Sequence, residues 1–226
     1  ASPPRSRRVS SAEDAGRRGS SGCGGIRRGR STGDERMIGG HFGYLPGMSD
    51  TALLVVDMFN AYRHEDAGKL AGSVSDIVEP LADLTRRACE RGDVDVVYVN
   101  DNYGDFTADR DSIIAAALDG ERPDLVKPLV PQQDCQFLTK VRHSAFYATP
   151  MNYLLRRMGC RRIILTGQVT EQCILYSALD GYIRHFDVVV PPDAVAHIEQ
   201  RLGGAALEMM ERNMRAELVP AAECLT

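Results

Sequence analysis

The pattern of apolar and polar positions along the chain predicts short strands that alternate with amphipathic helices. Continuous apolar or β-branched runs, which indicate buried strands, occur at 51–59, 94–99, 135–139, 163–165, 187–190 and 217–219. Apolar residues at helical spacing predict helices over 76–91, 111–118, 151–158, 170–184 and 199–215. Strands that alternate with helices favour an α/β fold, here a three-layer α/β/α sandwich with a six-stranded, mostly parallel, Rossmann-like sheet.

The first 47 residues differ in composition from the rest of the chain. They are rich in Arg, Ser and Gly and contain almost no large apolar residue before Met37. Such a segment cannot bury enough surface to offset the entropy of ordering, so we predict an unfolded extension over 1–47 and a folded domain over 48–226. A basic tail for anionic partners, or a transit-like leader, is the alternative; a secretory signal is not indicated, because no apolar core of about 7–15 residues follows the arginines.

Composition narrows the class of protein. Hydrophobic residues make up 43% and charged residues 26% of the chain, and the net charge of -4 is too small to indicate nucleic acid or membrane as a partner. The six cysteines show neither a CxxC pair nor Cys/His ligand spacing, which argues against a zinc site and a disulfide framework. We therefore expect a cytoplasmic protein, and no GxGxxG or GxxxxGK(S/T) motif indicates a nucleotide cofactor.

One stretch, IILTGQVTEQCILYSALD over 163–180, combines a strand with a helix that starts abruptly after it. The apolar run ends near Gly167, and Thr170 and Glu171 open a helix whose first turn contains Cys173. The unpaired N–H groups and the dipole of a helix N-terminus would favour the thiolate of this cysteine. The alternative is a buried cysteine that only packs.

Two further residues fall at the ends of predicted strands, where parallel α/β sheets bind their ligands. Asp57 ends the first strand and Lys140 follows the third. In one interpretation Asp57 takes the proton of Cys173, Lys140 stabilises the thiolate, and N–H groups of the 170–173 turn bind the oxyanion. Asp57 then protonates the leaving amine and activates the water that releases the acyl-enzyme, which predicts metal-free amide hydrolysis. In the other, Asp57 caps a loop or pairs with Lys140, and the residues after Lys140 form a solvated turn.

Three motifs in this order resemble those of one family. They are ALLVVDMFN around Asp57, FLTKVRHSAF around Lys140, and LTGQVTEQCILYSALDGYIRHFDVVVPPDAVA around Cys173. From about Thr51 to Pro220 the chain is similar to the isochorismatase-like cysteine hydrolases, which include nicotinamidases and the N-carbamoylsarcosine and ureidoacrylate amidohydrolases.

The resemblance implies a catalytic triad of Asp57, Lys140 and Cys173 on the six-stranded sheet. It also implies a non-proline cis peptide in the turn before the cysteine, expected here at Val169–Thr170, which would direct the N–H groups of Thr170 and Cys173 at the oxyanion. Members of the family are commonly dimers or tetramers, so we expect a homodimer or homotetramer.

Departures from the family pattern narrow the range of expected substrates. Nicotinamidases carry an Asp-x-His and a further His for a metal, whereas the corresponding loop here has only His64 beside two carboxylates, so neither a metal nor nicotinamide is expected. The NDNYGDF segment and the TEQC turn resemble the branch that contains streptothricin hydrolase, which opens a lactam. We expect a small amide, lactam or carbamoyl substrate, in a pocket whose candidate residues are Phe59, Asn102, Tyr103, Phe106, Phe146 and Tyr147.

Two other functions remain open at this stage. Asp57 and Lys140 could hydrolyse a vinyl ether of the isochorismate type without using Cys173, or the chain could be a non-catalytic homologue that serves as a binding subunit. Arg142 and His143 could contact a carboxylate of the substrate, and a solvated surface is the alternative.

Overall fold

The computed structural model describes residues 49–131 and 135–225, so the predicted extension over 1–47 lies outside the described residues. The strands are β1 Thr51–Val56, β2 Val94–Asp101, β3 Gln136–Lys140, β4 Arg162–Gln168, β5 Asp187–Val190, β6 Val195–Ala196 and β7 Glu217–Leu218. The α-helices are α1 Ala67–Arg91, α2 Arg110–Leu118, α3 Pro123–Val126, α4 Met151–Met158, α5 Leu175–Ile183 and α6 Gln200–Met214. A single π-helical turn, Thr170–Ile174, leads into α5.

The strands form one sheet in the order β3-β2-β1-β4-β5-β7, with β6 paired to β4, and all the pairings are parallel. The predicted fold class is confirmed, but the sheet has seven strands rather than six. All six predicted strands are present. The additional strand, β6, was missed because it is defined by its pairing with Gly167 and Gln168 at the end of β4, a contact between segments distant in the sequence.

The central strand β1 explains the three layers. Its residues from Ala52 to Val56 are at most 1% exposed, so both of its faces are covered. Leu53 and Val55 pack in a cluster with apolar residues of α1 and α2, whereas Leu54 and Val56 pack in a second cluster with residues of α4, α5 and α6. A continuous apolar run is the pattern expected of such a doubly covered strand.

The first helix begins earlier than predicted. The charged, glycine-containing segment 60–72 predicts a loop, yet α1 starts at Ala67, nine residues before the predicted start. Leu70, Ala71 and Val74 are buried against the sheet, and this tertiary packing outweighs the low helix propensity of Gly68 and Gly72. Within the described ranges, no helix has the length and hydropathy needed to cross a membrane.

Candidate active site

Three side chains from separate strands meet at the carboxyl edge of the sheet. Asp57 follows β1, Lys140 ends β3, and Cys173 lies in the π-helical turn after β4. The Lys140 Nζ atom lies 2.7 Å from Asp57 Oδ2 and 3.7 Å from Cys173 Sγ. Because β2 separates β1 from β3, the long lysine side chain crosses the end of β2 to reach the other two residues.

Asp57 is fixed at both its backbone and its carboxylate. Its backbone N–H donates to the Val99 carbonyl at 2.9 Å, and its φ of 54° turns the chain away from the sheet immediately after β1. The Asp101 N–H donates to Asp57 Oδ1 at 2.7 Å, and the side-chain amide of Gln168 donates to the Asp57 carbonyl. The carboxylate is therefore held in one orientation, with Oδ2 towards Lys140.

Lys140 is a buried cation with two acidic neighbours. Its side chain is 1% exposed, and Nζ also lies 3.5 Å from Asp101 Oδ2. Burial alone would lower the pKa of Lys140, but the negative charges of Asp57 and Cys173, when present, together raise it above its ordinary value. The ammonium form is therefore the one that the site stabilises.

The expectation of a preformed Cys173 thiolate is wrong. Burial and the neighbouring Asp57 carboxylate raise the pKa of Cys173 to about 12, and the opposing effect of Lys140 does not compensate. Burial likewise raises the pKa of Asp57, against the lowering effect of Lys140. A hydrogen bond joins Asp57 to Cys173, so the thiol holds its proton beside a carboxylate that is a stronger base than usual.

The cis peptide bond lies one residue earlier than expected, at Gln168–Val169 instead of Val169–Thr170. Its place follows from where β4 leaves the sheet: Gln168 is the last strand residue, and its side chain is bound to the Asp57 carbonyl. After it the chain enters the π-helical turn, in which the N–H groups of Gln172 and Ile174 both donate to the Val169 carbonyl, at 3.0 and 3.1 Å.

Gly167 allows β1 and β4 to approach closely beside the site. Its φ is +105°, and a Cβ at this position would lie 2.1 Å from the Val56 carbonyl oxygen. Only glycine is compatible with both the conformation and the contact. Close packing here places the residues that follow the two strands, Asp57 and the cysteine turn, next to each other.

An open cavity of 490 Å³, here called the active-site cavity, reaches the three side chains through two of their neighbours, because Asp101 contacts Asp57 and Lys140 and His143 contacts Cys173. Its walls include Asp101, Asn102, Phe106, Arg142, His143 and Tyr147. Three of these, Asn102, Phe106 and Tyr147, are among the candidate pocket residues. Phe106 and Tyr147 are 82% and 59% exposed, so their rings are available to a ligand.

The other candidate pocket residues lie elsewhere. Phe59 and Tyr103 line a separate cavity of 170 Å³ together with Asn102, and the Tyr103 hydroxyl donates to the Phe59 carbonyl at 3.0 Å. Phe59 itself is 1% exposed. The assignment of Phe146 to the pocket is wrong, because this residue is buried and its ring packs against Phe186, with centroids 6.0 Å apart.

Two contacts of the site were not predicted from the sequence. The first is the role of Asp101 and Gln168 in holding Asp57. The second is the position of His143, whose Nδ1 lies 3.7 Å from Cys173 Sγ and whose ring lies 5.6 Å from that of Tyr176. The motif FLTKVRHSAF places His143 three residues after Lys140, but only the turn after β3 brings it to the thiol.

The loop that was compared with a metal site is exposed. His64, Glu65 and Asp66 all face solvent just before α1. Across residues 49–131 and 135–225 there is no group of three or more His, Cys, Asp or Glu side chains placed to hold a metal ion.

Comparison with known proteins identifies relatives over nearly all of the residues from 49 to 225. The family model described as the isochorismatase domain matches residues 51–223. The uncharacterized isochorismatase family protein YaaI of Bacillus subtilis is 33% identical over 170 residues, covering 75% of this chain and 93% of the relative. The ureidoacrylate amidohydrolase RutB of Methylorubrum extorquens is 28% identical over 171 residues, covering 64% of this chain and 68% of the relative.

Solved structures show the same fold. The N-carbamoylsarcosine amidase of Thermoplasma acidophilum superposes with a TM-score of 0.62 at 23% sequence identity, covering 78% of this chain and 99% of that one. At this level of identity the similarity establishes the arrangement of strands and helices alone, because one fold can support different chemistries.

Proposed function

This chain belongs to the isochorismatase family, and we propose that it hydrolyses a C–N bond of a small amide, lactam or carbamoyl compound through an acyl-enzyme on Cys173. One observation carries the proposal: the Cys173 thiol is buried against a carboxylate and an ammonium group, with Lys140 Nζ 2.7 Å from Asp57 Oδ2 and 3.7 Å from Sγ. A nucleophile, a base and a cation thus share one site, beside a cavity whose wall includes their neighbours Asp101 and His143.

In the first half of the reaction, Asp57 accepts the proton of Cys173 as Sγ attacks the substrate carbon. The raised pKa of the Asp57 carboxyl group makes it a better base than an exposed aspartate, and the raised thiol pKa gives a strongly nucleophilic thiolate once the proton has moved. Protonated Asp57 then gives its proton to the leaving nitrogen, and the C–N bond breaks to leave a thioester on Cys173.

Lys140 provides the negative charge of the site with a cationic partner both before and after this proton transfer. Before it, the ammonium pairs with the Asp57 carboxylate; after it, the same ammonium faces the Cys173 thiolate. Since the cation contacts both partners from one position, no side chain has to move far when the negative charge shifts.

Backbone N–H groups of the cysteine turn are the proposed oxyanion donors. Gln172 and Ile174 use their N–H groups in bonds to the Val169 carbonyl, which gives them a structural role. We assign the oxyanion to the N–H groups of Thr170 and Cys173, next to the nucleophile, because donors beside the attacked carbon stabilise the charge that develops there.

The names of two relatives support amide chemistry. One is called an amidohydrolase and the other an amidase, and the three motifs of this chain carry the Asp, Lys and Cys residues on which the proposed mechanism depends. Phe106 and Tyr147 at the wall of the active-site cavity give it an apolar part, which suits a substrate with a hydrophobic or planar portion.

The test is release of ammonia or amine from a panel of amides, lactams, carbamoyl compounds and nicotinamide, with isochorismate added. Cys173→Ala is expected to abolish release, whereas Cys160→Ala is the matched control, because Cys160 is also buried with a thiol pKa of about 12. A parallel series with chelator tests the expectation that no metal is required.

Two outcomes would contradict the proposal. Turnover of isochorismate that survives Cys173→Ala would assign vinyl ether hydrolysis to Asp57 and Lys140. Absence of turnover across the panel, together with failure of every thiol-directed electrophile to label Cys173 in the folded protein, would indicate a non-catalytic binding subunit.

We also propose that the protein is a cytoplasmic homodimer or homotetramer. The basis is the family and the ordinary soluble composition of the chain. Sedimentation or light scattering of the purified protein would measure the subunit number directly, and a monomer at micromolar concentration would contradict it.

A further inference from the structure

The Cys173 thiol has neighbours on two different sides, and only one side is accounted for by the proposed acylation. Asp57 and Lys140 approach it from the buried side, where their side chains are 10% and 1% exposed. His143 approaches with Nδ1 at 3.7 Å from Sγ, is exposed, and belongs to the wall of the active-site cavity. The imidazole is therefore between the thiol and the solvent.

We propose that His143 is the catalytic base of deacylation: it activates the water that hydrolyses the Cys173 thioester. This inference rests on the proposed function and assigns a separate residue to its second half. Water reaches the thioester from the cavity, and His143 is a wall residue of that cavity in contact with the sulfur. Asp57, by contrast, lies deeper, with its side chain 10% exposed and outside the wall of this cavity.

The proton of this step passes through the contact between His143 and Cys173. Neutral His143 takes one proton from water at Nδ1 while the water oxygen bonds to the acyl carbon. When the C–S bond breaks, the imidazolium returns that proton to Cys173 Sγ, which lies 3.7 Å away in the structure. The product leaves as a carboxylic acid that loses its remaining proton to solvent, and both Cys173 and His143 return to their starting forms.

The orientation of the imidazole has a structural cause. Its ring packs against Tyr176, with centroids 5.6 Å apart, and Tyr176 lies in the first turn of α5, three residues after Cys173. One helix therefore carries both the nucleophile turn and the aromatic ring that supports His143. His143 touches the reacting sulfur but is exposed and is not part of the hydrophobic core. Its replacement should therefore leave folding intact.

The experiment separates deacylation from amide cleavage by loading the acyl group with p-nitrophenyl acetate, an activated ester that acetylates reactive thiols. The lifetime of acetyl-Cys173 is followed by mass spectrometry of the peptide that contains it, with Cys173→Ala as the blank. We expect the acetyl group to persist about 10²-fold longer in His143→Gln, which is the size of effect expected for one general base. His64→Gln, the matched change of an exposed histidine, should behave as wild type.

Chemical rescue distinguishes a base from a structural support. In His143→Ala, added imidazole should restore deacetylation in proportion to its concentration, whereas the thermal unfolding midpoint should stay that of wild type. An unchanged acetyl lifetime in His143→Gln, or no acetylation of wild-type Cys173 at all, would overturn the proposal. If no amide is cleaved but acetyl-Cys173 is hydrolysed in a His143-dependent way, the proposed substrate class fails and this assignment stands.

Discussion

The Lys140 ammonium lies 2.7 Å from the Asp57 carboxylate at a place where the lysine side chain is 1% exposed. An ion pair of this kind is expensive to break, because a single remaining charge would be buried without a partner. The same pair is positioned to exchange charge with Cys173 during the proposed reaction. Stability and function therefore depend on the same two side chains.

Replacing only one member of this pair should destabilise the protein much more than the pair itself stabilises it, so the double variant should lose less stability than the two single variants together. We expect Lys140→Met to lower the free energy of unfolding by about 3–5 kcal/mol, because it leaves the buried Asp57 carboxyl group without its partner. The double variant Asp57→Asn with Lys140→Met should lose clearly less than the sum of the two single variants. Urea unfolding of wild type, the two single variants and the double variant measures the coupling.

The control is Arg161→Ala, which breaks an exposed pair with Asp50 and should leave stability nearly unchanged. Additive losses at Asp57 and Lys140 would contradict the expected coupling.

Removal of the Asp57 charge should make the Cys173 thiol more reactive while it abolishes turnover. The Asp57 carboxylate contributes to the raised thiol pKa, so Asp57→Asn should lower that pKa, and each unit of lowering gives about tenfold more thiolate at neutral pH. Iodoacetamide labelling of Cys173 at pH 7.5 should therefore be faster in Asp57→Asn than in wild type. Slower labelling would mean that Asp57 activates the thiol even without substrate.

The pH dependence of labelling in wild type follows from the same shift. A thiol with an ordinary pKa of 9.0 reaches its maximal alkylation rate soon above that pH. Because the pKa of Cys173 is raised to about 12, its thiolate fraction keeps increasing as pH rises from 9 towards 12, and its labelling rate should do the same. Peptide-resolved alkylation rates across pH 7–11 measure this. A rate that levels off below pH 9 would contradict the raised pKa.

Two glycine-to-alanine changes should have opposite effects. Gly167→Ala places a Cβ 2.1 Å from the Val56 carbonyl oxygen at a φ of +105°, so β1 and β4 must separate and the variant should be strongly destabilised or insoluble. Gly72→Ala lies within α1, has no atom within 4 Å of the new Cβ, and should gain about 0.5–1 kcal/mol. Thermal and urea unfolding give both values. Equal effects would refute the close approach of the two strands.

Asn100 should be important although it touches no reacting group. Its side chain accepts from the Phe59 N–H at 3.0 Å and donates to the Phe59 carbonyl at 3.1 Å, which fixes the segment just after Asp57. Asn100→Ala leaves these buried groups unpaired and should cost about 1–3 kcal/mol together with a loss of kcat. Asn152→Ala, on the exposed side of α4, is the control and should change neither. Wild-type kcat in Asn100→Ala would separate this contact from the site.

Sequence reasoning was most successful where one local signal was strong. The apolar run at β1 is buried on both faces, and its end at Asp57 could be placed because a charged residue interrupts it. Predictions were wrong where packing between residues distant in the sequence determines the structure. The start of α1 depends on the burial of Leu70 and Val74 against the sheet, and Phe146 contacts Phe186, forty residues away in the sequence. Neither contact has a periodic pattern of its own.

The sequence by itself determined the alternating α/β fold, six of the seven strands along the chain, and the positions of Asp57, Lys140 and Cys173 at or just after strand ends. It could do so because hydrophobic period and turn residues are local properties of the chain. Only the tertiary structure decided that the thiol keeps its proton, that the cis bond precedes Val169, and that His143 reaches Sγ. These features depend on burial, on the charge of residues from other strands, and on how a turn is folded. Each is set by residues that are close in space but distant in sequence, so no local pattern in the sequence reveals it.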